Sequence, residues 1–171
     1  MAKILMIIAQ NGFRDEELLV PKQILEHAGH NVKVASITRG KATGSKGTSL
    51  QPDLAVYEAN PAFFDCVVIV GGPGSPALAE NGEVIDFVLG MSKKLVAAIC
   101  LGPMTLAQAG ILKDKKATIF PDRSAITLLR QSGGVYKTGS VVVDGNIVTA
   151  DGPQSAEQFG TTIVKMLGEL K

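Results

Sequence analysis

The chain has 171 residues and a mass of 17.9 kDa, enough for one sizeable core and too short for two ordinary domains, so a single domain over 1–171 is expected. Hydrophobic residues make up 46 % and charged residues 19 %, the balance of a packed globular chain and not of a disordered one. Lysine plus arginine (17) nearly cancels aspartate plus glutamate (16), which leaves no electrostatic drive toward nucleic acid or an anionic membrane.

The first apolar run, Ile4 to Ala9, has the continuous character of a strand buried on both faces. It is far shorter than the ~18 residues of a membrane span. Lys3 before it mimics a secretory leader, but Gln10-Asn11-Gly12 ends the run too soon, and a cytoplasmic location is expected. Asp15 to Ala28 has helical character, with acids in its first turn, Gly29 as its stop and Pro21 as a kink or a late start. Val32 to Ile37 is a second strand. Thr38 to Asn60 is irregular and is expected to hold a small hairpin or short edge strands. Asn60-Pro61 is a cap followed by proline.

Cys66 to Val70 is a third buried strand, ended by Gly71-Gly72-Pro73-Gly74. A helix over Glu83 to Met91 leads to a fourth strand, Leu95 to Ile99, and a helix from Met104 to Ala109 is closed by Gly110. Ala117 to Phe120 is expected as a fifth strand, and Ser124 to Gln131 as a helix ended by Gly133-Gly134. Ser140 to Val143 and Ile147 to Ala150 flank Asp144-Gly145, a hairpin signal, and Ser155 to Leu167 is the closing helix. Apolar strands alternating with helices predict an α/β three-layer sandwich with a mostly parallel central sheet, flavodoxin-like. In such sheets chemistry gathers beyond the carboxyl ends of the strands.

Cys100 stands where a buried strand runs directly into a helix. A corner that sharp needs small neighbours two residues away on either side, and these are Ala98 and Gly102. This is the steric logic of a nucleophile elbow. The Leu101 N–H would point at an oxyanion, and the helix start would favour the thiolate provided that a nearby carboxyl is protonated. Cys66 opens its strand and therefore lies at the other sheet edge, out of disulfide range. Asp15, Glu16 and Glu17 follow the first strand on the elbow's edge, and spacing alone does not choose among them as a partner for the thiol. Gly71 and Gly72 share that edge and would let backbone N–H groups approach a substrate oxygen. Gly72 to Ala77 also fits a dinucleotide fingerprint, but Pro73 and Pro76 delete two of its donors and no acid follows to hold a ribose. Asp122, Arg123 and Asp151 follow later strands as loop charges near the mouth. His27 and His30 fall at the amino edge, so neither a Cys–His dyad nor a metal site is expected.

These residues resemble the DJ-1/PfpI family, a branch of the class I glutamine amidotransferase-like superfamily, almost from end to end. The resemblance is carried by Glu17-Leu18-Leu19-Val20-Pro21, by Val67 to Gly72, by Ala98-Ile99-Cys100-Leu101-Gly102-Pro103, and by Asp144 to Thr149 with Gly152-Pro153. It implies that Cys100 is the nucleophile or oxidation-sensitive thiol, that Glu17 is its carboxyl partner, and that backbone groups of Gly72 and Leu101 stabilise an oxyanion. Members are described as peptidases, glyoxalases, deglycases, chaperones and stress sensors, commonly dimers or hexamers. Two departures stand out. Peptidase-like members carry His directly after the cysteine, where this chain has Leu101. Other members carry a His where this chain has Phe120 followed by Pro121. The expectation is a cofactor-free cysteine enzyme acting on small reactive carbonyls. Its rivals are a peptidase or amidase with a base from another subunit, and a non-enzymatic thiol sensor or chaperone.

Overall fold

The computed structural model describes residues 1–169. Twelve strands and six helices follow in chain order: β1 (Lys3–Ile7), β2 (Asn11–Phe13), α1 (Asp15–His27), β3 (Asn31–Ser36), β4 (Ala42–Gly44), β5 (Ser49–Leu50), β6 (Leu54–Ala55), β7 (Cys66–Ile69), α2 (Ser75–Ala79), α3 (Gly82–Gly90), β8 (Leu95–Ile99), α4 (Pro103–Gln108), β9 (Lys116–Ala117), α5 (Arg123–Gln131), β10 (Val135–Tyr136), β11 (Val141–Asp144), β12 (Ile147–Ala150) and α6 (Ala156–Glu169).

The central sheet has seven strands in the order β11-β12-β8-β7-β1-β3-β6, parallel except for β11. Without the two-residue edge strand β6, the parallel strands follow the doubly wound order that flavodoxin shares. β7 and β8 are buried along their whole length, as their unbroken apolar sequences require of strands covered on both faces. α1 packs on α6, and α2, α3 and α5 pack around α4, which gives the sheet its two covering layers.

The strand order reverses between β1 and β7. The chain leaving β1 forms β2, and the chain leaving β7 is the glycine pair. The two are stitched together there, Arg14 N donating to Gly71 O at 2.8 Å and Gly74 N to Gly12 O at 2.9 Å. A crevice at a reversal of this kind is where α/β sheets hold ligands.

Several expectations shift. β1 stops at Ile7, although Ile8 and Ala9 remain buried. α1 runs through Pro21 without a break. The irregular segment from Thr38 holds β4 and β5, an antiparallel pair in a small sheet with β2, and then β6. The expected fifth strand, Ala117 to Phe120, does not enter the central sheet. Only Lys116 and Ala117 are strand, paired with β10. Beyond them the Thr118 N–H is taken by the Thr149 hydroxyl at 2.9 Å and the Phe120 N–H by the Cys100 carbonyl at 2.8 Å. Pro121 has no N–H to continue a ladder. β12 occupies the place beside β8 instead. The Asp144-Gly145 hairpin forms as expected, with Asp144 opposite Ile147 and Gly145 at φ +59°.

Candidate active site

Four neighbouring strands deliver the site from their carboxyl ends. The segment after β1 brings Arg14 and Glu17, that after β7 Gly71 and Gly72, that after β8 Cys100 and Leu101, and that after β12 Pro153 and Gln154.

Cys100 has φ +62°, one of two non-glycine residues in the left-handed region among those described. The corner is pinned on both sides: Cys100 N donates to Ala150 O at 2.9 Å, and Gly102 N to Ile99 O at 2.8 Å. A Cβ on Gly102 would press on the carbonyls of Ile69 and Ile99, so the turn closes only without a side chain there. A left-handed cysteine costs about 1 kcal/mol, and the surrounding hydrogen bonds hold it.

The three acids of the first turn of α1 separate cleanly. Asp15 accepts hydrogen bonds from Lys46 N and Thr48 N, both 2.8 Å, and ties down the β4–β5 turn. Burial alone would raise its carboxyl, but the Thr48 side chain and these N–H groups outweigh burial and hold it below the usual range. Glu16 turns outward to Arg14, whose Nε lies 2.5 Å from it, and this pairing lowers the Glu16 carboxyl. Glu17 is fully buried and points to the thiol.

Burial pushes the Glu17 carboxyl up to about 8, against the opposing pull of the Cys100 thiol and the Gly71 N–H. Both groups lie against the carboxyl without reaching full hydrogen-bond geometry. Gly71 makes the approach possible, because a Cβ there would sit 2.7 Å from both Cys100 Cβ and Glu17 Oε1. The thiol itself is raised by burial first and then by the Glu17 charge, while the N–H groups of Leu101 and Gly72 pull the other way. The expected depression of the Cys100 pKa is thus overturned. α4 has only six residues, and the sulfur is buried, with 7 % of the residue exposed. Near neutral pH the resting pair is therefore a neutral thiol facing a neutral carboxyl.

Leu101 N and Gly72 N face the sulfur and are not used by any turn or ladder among the described residues. They form a pair of donors where an oxyanion would develop. Outside them lies a cavity of about 530 Å³, walled by Arg14, Pro73, Phe120, Pro153 and Gln154. Phe120 stands at the position where a histidine was absent from the sequence pattern. Of these wall residues, sequence reasoning missed Arg14, Pro153 and Gln154. The signal for Arg14 was its place between β2 and α1 on the reactive edge, where a lone cation among acids resembles an ordinary helix flank.

Other candidates fall elsewhere. Cys66 is level with Leu95 at the start of β8, whereas Cys100 follows its end, and both cysteines are free. Asp122 caps α5 through Ala125 N at 3.0 Å, Asp151 accepts from Ser155 Oγ at 2.6 Å, and neither they nor Arg123 line the cavity. His30 accepts from Ala2 N through Nδ1 at 3.0 Å, and His27, the last residue of α1, lines a groove beside α6. Both are remote from the sulfur. The glycine run after β7 is covered by β2: Cβ atoms on Gly72 and Gly74 would meet the backbone of Gly12 and Asn11, so a pyrophosphate has no cradle there. Among the described residues no cluster of three metal-ligating side chains exists, and no helix is long and apolar enough to cross a membrane.

Known proteins match the chain over nearly its whole length. An uncharacterised protein of Methanocaldococcus jannaschii is 43 % identical over 169 residues, 97 % of this chain and 82 % of that protein. A deglycase of Thermococcus kodakarensis is 35 % identical over 167 residues, 95 % of this chain and 98 % of its own. The crystal structure of a ThiJ/PfpI domain protein from Brachyspira murdochii superposes with a TM-score of 0.93 at 33 % identity, covering 99 % of this chain and 98 % of that one. The family model for DJ-1/PfpI matches residues 2–166, so that a fold wound around β1 and β7, a cysteine at the end of β8 and a match over nearly the whole length lead to one statement: the chain belongs to the DJ-1/PfpI family.

Proposed function

We propose that the protein is a cofactor-independent cysteine enzyme that acts on small reactive carbonyls, 2-oxoaldehydes such as methylglyoxal, in the manner of a glyoxalase or deglycase. In this reading it serves stress protection as a cytoplasmic homo-oligomer, a dimer or hexamer. The observation that carries the reading is the buried Glu17 carboxyl against the Cys100 thiol, with two unused N–H groups beside the sulfur. The relatives named deglycases add support.

The reactive form is the pair after Glu17 has lost its proton near pH 8, and the Glu17 carboxylate then takes the thiol proton as the sulfur attacks. Sulfur adds to the aldehyde carbon. The carbonyl oxygen becomes an oxyanion held by Leu101 N and Gly72 N, then takes the proton of Glu17, giving a hemithioacetal. The Glu17 carboxylate next removes the hydrogen of the former aldehyde carbon and returns it to the adjacent carbon through an enediol. The aldehyde carbon is now a thioester and the ketone carbon an alcohol. Water cleaves the thioester, releasing a 2-hydroxy acid and restoring the thiol.

A thiol peptidase would need a histidine within reach of the sulfur to form a Cys–His pair. His27 and His30 are at the wrong edge and Phe120 fills the remaining approach, which favours the carbonyl reading over a peptidase. The test is lactate formation from methylglyoxal by purified protein beside Cys100→Ala. Lactate from the wild type alone is expected. No lactate from the wild type, or undiminished lactate from the variant, would overturn the reading.

A further inference from the structure

The cavity outside Cys100 is larger than a three-carbon carbonyl needs. At about 530 Å³ it lies well inside the size range of pockets that take ligands several times bigger. Most of its wall is poor in donors: Pro73 and Pro153 have no N–H, and Phe120 offers a ring. Arg14 and the Gln154 amide are the side-chain exceptions, and among the described residues Arg14 is the only charged one lining it.

Arg14 is held at its backbone and at one guanidinium nitrogen. Arg14 N donates to Gly71 O at 2.8 Å, so the residue is tied to the glycine pair beside the sulfur. Its Nε is occupied by Glu16 at 2.5 Å, which orients the guanidinium plane. Its two terminal nitrogens have no hydrogen bond or ion pair among the described residues. The charge is close enough to the reacting pair to be influenced by both Glu17 and Cys100. With Glu17 protonated near neutral pH, no interior carboxylate competes for it. A fixed guanidinium with its outer edge open matches a carboxylate in two parallel hydrogen bonds.

We propose that Arg14 is a specificity residue that binds a carboxylate on the far end of the substrate, so that the enzyme prefers 2-oxoaldehydes carrying a terminal carboxylate over neutral ones. This rests on the carbonyl reading above. For such a substrate the chemistry balances without an added oxidant. 4,5-Dioxopentanoate plus water gives 2-hydroxyglutarate: the aldehyde carbon is oxidised to a carboxylate, the neighbouring ketone is reduced to an alcohol, and water supplies the extra oxygen.

The test compares kcat/KM on 4,5-dioxopentanoate and on methylglyoxal for the wild type, Arg14→Gln and Arg14→Lys. The wild type is expected to favour the carboxylate substrate. Arg14→Gln is expected to lower the ratio of the two constants by about tenfold to a hundredfold, the usual weight of a charge-assisted pair, with Arg14→Lys in between. Equal losses on both substrates would mean that Arg14 serves the chemistry alone and would overturn the proposal, as would an unchanged ratio. A second arm measures equilibrium binding of 2-hydroxyglutarate and of lactate by calorimetry, which requires no turnover. Arg14→Gln is expected to weaken 2-hydroxyglutarate at least tenfold more than lactate. If the wild type turns over neither aldehyde, the carbonyl reading fails and this arm alone judges Arg14. Equal weakening of both acids, or none, would then overturn the proposal.

Discussion

Because Glu17 titrates near 8 in the folded chain and near 4.5 when free of it, the native state holds a proton that the unfolded state releases. The sign follows directly. The contribution is fully present below the unfolded value, declines as pH rises above it, and is gone once pH passes the folded value. Between pH 4.5 and neutrality the loss is on the order of 3 kcal/mol. Glu17→Gln keeps the shape without the titration, so urea unfolding at about pH 5 and at about pH 8 is expected to show a steep decline in the wild type and a flatter one in the variant. The same change should slow methylglyoxal turnover by roughly 10² to 10⁴, because the amide cannot exchange a proton as an acid. A variant that titrates in stability like the wild type would place the buried proton on another group.

At the scale of elements, the ends of β7 and β8 approach so closely that one methyl group separates a working arrangement from a blocked one. Gly71→Ala would place its Cβ 2.7 Å from both Cys100 Cβ and Glu17 Oε1, forcing the thiol and the carboxyl apart. It is expected to lose roughly 1–3 kcal/mol of stability and most Cys100-dependent turnover. Gly82→Ala in the first turn of α3 meets nothing within 4 Å and is expected to be neutral or slightly stabilising. Thermal unfolding and the methylglyoxal assay on the two variants separate local crowding from a general effect of replacing glycine. The same elements show what was legible in advance. β1, β7 and β8 could be read because strands buried on both faces leave continuous apolar runs. So could the corner at Cys100, because its neighbours must be small. β2 and α2 escaped notice because three to five residues carry no period. Ala117 to Phe120 had the composition of a sheet strand, but its N–H groups are claimed by the Thr149 hydroxyl and the Cys100 carbonyl, partners far away in sequence. The choice among Asp15, Glu16 and Glu17 likewise depended on tertiary partners: the β4–β5 turn, Arg14 and the thiol.

At the scale of the whole molecule, the sheet separates the histidines from the sulfur. His27→Ala/His30→Ala is therefore expected to leave Cys100-dependent carbonyl turnover unchanged, with a small stability cost of about 1 kcal/mol for the hydrogen bond that His30 accepts from Ala2 N. A peptidase activity that disappeared in this double variant, measured on a peptide substrate, would support a base supplied by a partner subunit and reject the carbonyl reading. The start of α1 has one further consequence. Of the four consecutive charged residues Arg14 to Glu17, Arg14 just before α1 pairs with Glu16 on the outside, while Asp15 and Glu17 meet separate buried surroundings because each helical step turns the chain by about 100°. Their roles are assigned by rotation, so inserting or deleting a single residue among them would reassign every role at once. A substitution in this segment would alter one role and a change of length all of them, whereas a change of length in the Ser45-Lys46-Gly47 turn would put at stake its anchor on Asp15 and the bond from Ser45 N to Phe13 O.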